Sequence, residues 1–111
     1  MRRVNESVRQ VLSEALLELK DPRIGFVTVT GVKTSQDLRQ ATVYVSVLGN
    51  ERKRAQTLDG LASAHGVLQA RVADELRMKR TPKLTFEYDR SVDYGVRISQ
   101  LLDEHAPDDK P

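Results

Sequence analysis

Val4, Val8, Val11, Leu12, Ala15, Leu16 and Leu19 recur at steps of three and four, with polar residues between them. That spacing puts them on one stripe of an amphipathic helix of about four turns. Asn5 is the expected N-cap. Asp21-Pro22 is the expected end, because proline disfavours helical geometry in the residue before it. The pattern then changes period. FVTVTGV (Phe26 to Val32) and ATVYVSVL (Ala41 to Leu48) are rich in β-branched residues, and Ala41, Val43, Val45 and Val47 alternate with Thr42, Tyr44 and Ser46. KTSQDLRQ between them is a polar connection of hairpin length, so two antiparallel strands are expected, with Gly49-Asn50 closing the second.

Glu51 to Arg80 is free of proline, and Leu58, Leu61, Leu68, Val72 and Leu76 share a helical face. Periodicity alone permits one continuous helix, but length argues against it. Such a rod would span about 45 Å, against roughly 34 Å across a compact domain of this size. Two helices meeting at an angle are expected, with Gly60 and Gly66 as the places to bend. After Pro82, Leu84, Phe86 and Tyr88 alternate with Thr85 and Glu87 and predict a third strand. The two-helix crossover is long enough to return it parallel to one of the first two. A short helix is expected from a Ser91 cap through Ile98, Leu101 and Leu102. The whole is an α+β chain, an αββααβ two-layer sandwich whose three-stranded sheet is covered on one face by helices. A single domain over residues 1–106 and a polar tail over 107–111 complete the expected organisation.

Composition narrows the chemistry. The 111 residues are 39% hydrophobic and 31% charged, enough for one modest core and too mixed in sign for disorder. The formal charge of +2 is uneven: residues 101–111 carry −3, so residues 1–100 carry +5. A basic body suits a phosphate-bearing partner. The absence of cysteine excludes disulfides and thiolate chemistry. No run reaches the length of a membrane span, and MRRVNESV lacks a signal peptide's apolar core, so a cytoplasmic protein is expected. Only His65 and His105 are present, which offers no metal cluster or catalytic pair. The adjacent carboxylates Asp74-Glu75 face different ways on a helix, and there is no P-loop or dinucleotide fingerprint. Catalysis finds no foothold.

Eight cations lie between residues 52 and 83: Arg52, Lys53, Arg54, Arg71, Arg77, Lys79, Arg80 and Lys83, opposed by Asp59, Asp74 and Glu75. By composition they are either an RNA footprint, with guanidinium groups on phosphates, or an ordinary solvated surface. Arg2, Arg3 and Arg9 are a candidate extension of the same surface; Arg9 alternatively only flanks the apolar stripe. His65 is better read as structural or solvent-facing than as catalytic, with stacking on a base as a further alternative. The aromatic residues Phe26, Tyr44, Phe86, Tyr88 and Tyr94 are few, and exposed aromatics on a strand face are not expected. That favours binding through phosphates and shape.

The element order, with its sharp bend between central helices, resembles the type II KH (K-homology) fold. RVNE (Arg3 to Glu6), KDPR (Lys20 to Arg23), VTVT (Val27 to Thr30), VYVSVLG (Val43 to Gly49) and LTFEYD (Leu84 to Asp89) together look like the ribosome-binding factor A family, over about residues 3 to 104. The resemblance implies a bend at Ala64-His65-Gly66 in place of the GxxG loop of KH domains. It also implies a non-enzymatic bacterial assembly factor, binding the immature small ribosomal subunit and its ribosomal RNA and assisting late RNA processing. Its expected RNA-binding residues are Arg52, Arg54, Arg71, Arg77, Lys79, Arg80 and Lys83. No cofactor, metal, membrane or small-molecule substrate is implied, and a monomer is expected. A generic KH-like module for single-stranded RNA, or a protein-interaction adaptor, are the alternatives.

Overall fold

The computed structural model describes residues 2–77 and 80–91. Helix α1, Arg2–Glu18, buries Val8, Val11, Leu12, Ala15 and Leu16, the stripe that the spacing marks. It starts earlier than expected, so Asn5 lies inside it and is not the N-cap. Asn5 Oδ1 instead accepts hydrogen bonds from the Thr34 backbone N–H (3.1 Å) and hydroxyl, tying the helix to the sheet. Past the helix end, the Asp21 carboxylate accepts from the Arg23 N–H at 2.9 Å and from its guanidinium at 2.6 Å. The Arg23 side chain is the main reason that Asp21 is held below its ordinary pKa. KDPR thus closes its own turn. Buried Thr57 then clamps the following loop, donating to the Arg23 carbonyl and accepting from the Gly25 N–H.

Strands β1 (Val27–Thr34) and β2 (Gln40–Val47) pair antiparallel, and β3 (Lys83–Tyr88) lies parallel to β2 on its other side. The β1–β2 register shifts between Val29 and Gly31, leaving Thr30 as an extra residue. The bulge resets the alternation: Val27 and Val29 face the core before it, Val32 and Thr34 after it. The Thr30 hydroxyl donates to Asp89 Oδ2 at 2.6 Å. Asp89 Oδ1 accepts from the Ser91 N–H at 2.9 Å, so the side chain closing that turn is Asp89 where Ser91 is expected. Hydrogen bonds from Ser91 and then Thr30 hold the Asp89 carboxyl below the usual range. The helix expected beyond Ser91, and the tail, lie outside the described residues.

Helices α2 (Glu51–Ser63) and α3 (His65–Leu76) form the crossover and meet at Ala64, with φ −87° and ψ 3°. Neither glycine is the break. Gly60 is buried inside α2, where an added β-carbon would stand 2.6 Å from Ile24 Cγ1; Gly66 is exposed in the first turn of α3 with nothing within 4 Å. Leu12, Leu61, Leu68 and Leu84, one each from α1, α2, α3 and β3, are fully buried in a single cluster with the β2 valines. Each such burial contributes about 1.5–3 kcal/mol. The sheet is therefore covered on one face, while Thr42, Tyr44, Thr85 and Glu87 alternate to the other.

Candidate nucleic-acid interface

The crossover determines where the cations go. Asn50 caps α2, its Oδ1 accepting from the Lys53 N–H at 2.9 Å, and leaves Arg52 exposed on the first turn. Arg54 turns inward: its guanidinium carbon lies 3.8 Å from the centre of the Tyr88 ring, a cation–π contact. Arg71 bridges two helices, donating to Glu75 one turn on (2.9 Å) and to Glu18 of α1. Those carboxylates, Glu75 foremost, raise its pKa further above the ordinary arginine value. Of the seven arginines and lysines expected to contact RNA, Arg52, Arg77, Arg80 and Lys83 are exposed, Arg54 and Arg71 are engaged within the fold, and Lys79 is outside the described residues.

Arg77 ends α3 in the left-handed region, φ 49° and ψ 38°, its N–H bonding to the Ala73 carbonyl at 3.1 Å. Glycine or asparagine is the usual occupant of such a position. A residue with a β-carbon is disfavoured there by roughly 1 kcal/mol. Arg3 lines a shallow hollow with Val4, Ser7 and Leu76, which sets the start of α1 beside this end of α3. Arg3 also lines a second hollow together with Arg9 and Glu6, on the outward side of α1.

The bend itself is pinned to β3. His65 Nε2 donates to the Leu84 carbonyl at 2.9 Å, and Gln69 binds the Pro82 carbonyl (2.7 Å) and the Leu84 N–H (2.9 Å). His65 is thus structural, its Nε2 carrying the proton that a carbonyl requires. Beside it lies an open cleft of about 390 Å³ lined by Leu58, Ala62, His65, Lys83, Leu84, Thr85 and Phe86. Its apolar floor and single cation give it no catalytic constellation. Among the described residues no group of acids and histidines could hold a metal ion, and no helix is long and apolar enough to cross a membrane.

The family model of ribosome-binding factor A matches residues 1–102. The chain belongs to that family. Ribosome-binding factor A proteins from Geobacter sulfurreducens and Geobacter metallireducens are each 48% identical over 103 residues, covering 92% of this chain and 87% of theirs. The crystal structure of ribosome-binding factor A from Thermus thermophilus superposes with a TM-score of 0.71 at 31% identity, over 78% of this chain and 92% of that one. A homology model of Thermus thermophilus ribosome-binding factor A, as fitted into the cryo-EM map of its 30S complex, gives 0.65 at 32% identity, over 78% and 91%.

Within this ribosome-binding factor A family member, one exposed group departs from expectation. Phe26, just before β1, is 82% exposed, so an exposed aromatic is present after all. Phe86 and Tyr88 are packed against the core as expected. The signal was parity: Val27 and Val29 face inward, which turns Phe26 and Thr28 outward.

The two arginines of α3 should separate cleanly. Arg71→Ala is expected to lower the melting temperature slightly and leave RNA affinity unchanged, because Arg71 joins α1 to α3. Arg77→Gly should do the reverse, relieving the left-handed backbone while weakening RNA binding and reducing its salt slope by about one. Melting curves and a binding titration at several salt concentrations check both.

Proposed function

We propose that this protein is a non-enzymatic, cytoplasmic assembly factor. In this reading it docks as a monomer on the immature small ribosomal subunit, binds its ribosomal RNA, and assists late RNA processing. The observation that carries the reading is kinship: a family member that shares the fold over 78% of this chain has been fitted into a 30S complex. Physical support comes from Arg2, Arg3, Arg9, Arg52, Arg77, Arg80 and Lys83, all exposed. The first turn of α3 adds a place where Gly66 leaves open space for a polyanion backbone. In this reading the Ala64-His65-Gly66 bend replaces the GxxG loop of a KH-like domain, and with one glycine it suits folded RNA better than a grip on four unpaired nucleotides.

Such a protein needs no covalent step. It favours whichever RNA conformer it binds better, and by no more than its differential affinity for the two. Co-sedimentation with precursor and mature small subunits tests this. Preferential association with precursor subunits is expected, along with preference for folded ribosomal RNA over an unstructured oligonucleotide. Equal binding to the oligonucleotide would instead assign a generic single-strand module.

A further inference from the structure

Phe26 and Leu48 stand side by side where β1 begins and β2 ends, 82% and 73% exposed, with the Leu48 N–H bonded to the Phe26 carbonyl at 3.0 Å. Each is followed or preceded by a glycine, and both glycines face one lysine. A β-carbon at Gly25 would stand 2.6 Å from Lys53 Cε and 3.5 Å from its Nζ; one at Gly49 would stand 3.0 Å from Lys53 Cβ and Cγ. Gly49 also has a φ of 133°, which L side chains rarely adopt. The glycines thus leave a trough in which the lysine stem lies, with its ammonium 3.5 Å from the Gly25 β-position, one residue before Phe26 in the chain. Exposed Arg52 precedes Lys53 on the same turn of α2.

Two side chains are too few for a protein partner, since a stable interface takes about 20–30 residues a side. One ring backed by one leucine matches a single nucleobase, and a cation beside the preceding residue, Gly25, is within a nucleotide's reach of the phosphate attached to it. Glu51 is the acidic group on that first helical turn, and Arg52 with Lys53 outweighs it. We propose that Phe26, backed by Leu48, is a stacking platform for one unpaired base of the bound RNA, with Lys53 and Arg52 holding its phosphate. This rests on the RNA-binding reading above and adds an aromatic contact to it.

The chain has no tryptophan, so Phe26→Trp supplies a unique reporter in the full-length protein. Its fluorescence is expected to quench on addition of protein-free small-subunit ribosomal RNA. Phe26→Ala should weaken that binding roughly 5- to 150-fold. Its slope against salt should be unchanged, because a stacked ring releases no counterions, and so should its melting temperature. Lys53→Met keeps the stem and should reduce the salt slope by about one. If Phe26→Ala binds this RNA as tightly as the wild type, the platform is wrong while the RNA reading stands. Loss of binding to assembled subunits but not to free RNA would assign the patch to a ribosomal protein and overturn the proposal. A wild-type protein without affinity for the RNA would end both.

Discussion

Raising salt from about 50 to about 200 mM will lower the affinity of this protein for precursor small subunits by about 10³-fold. The estimate follows from counting cations that can reach phosphates. Arg2, Arg3, Arg9, Arg52, Arg77, Arg80 and Lys83 are exposed, Lys53 is the further candidate proposed above, and about six phosphate contacts from this set give that loss through released counterions. Arg71 is left out of the count because Glu75 and Glu18 already neutralise it, and Arg54 because it lies over Tyr88. Arg77→Glu combined with Arg80→Glu should therefore reduce the slope by about two, with little change in melting temperature. A slope near zero in the wild type would mean that the protein docks through an apolar interface, and the adaptor reading would replace the present one.

The parts of this fold that were legible in the sequence are those that a local period describes. The α1 stripe, the β2 alternation and the need to break the long crossover all come from spacing and length. What escaped depends on partners far along the chain. Asn5 has the side chain of a helix cap, yet it is used by Thr34, 29 positions away. Thr30 reads as one more strand residue, although it is the bulge that lets Val29 and Val32 face the same side. At the candidate interface, residue type marked the cations but not their employment. Glu75 stands four residues after Arg71 on one helix and was a readable partner, whereas Glu18 is 53 positions away. Phe26 was readable by parity, against the expectation that no aromatic would be exposed on a strand face.

The two glycines of the crossover should answer substitution in opposite ways. A glycine in a helix is the same letter whether the chain bends there or a neighbour needs the room, so sequence cannot separate the cases. At Gly60 the neighbour is Ile24, whose Cγ1 would lie 2.6 Å, and Cδ1 3.3 Å, from an added β-carbon, with Arg23 Cβ at 3.5 Å. Cγ1 is bonded directly to the Ile24 branch point and cannot swing away like a chain tip. Gly60→Val should therefore cost about 1–3 kcal/mol, as overpacking does. For a domain of this size that lowers the melting temperature by roughly 5–20 °C. At Gly66 the space is open and φ is not positive, so alanine there gains helix propensity without contact. Gly66→Ala should raise stability by about 0.5–1 kcal/mol. Thermal melts of the two variants decide the matter. A wild-type melting temperature for Gly60→Val would show that Ile24 moves aside freely, and a large loss for Gly66→Ala would return the bend to Gly66.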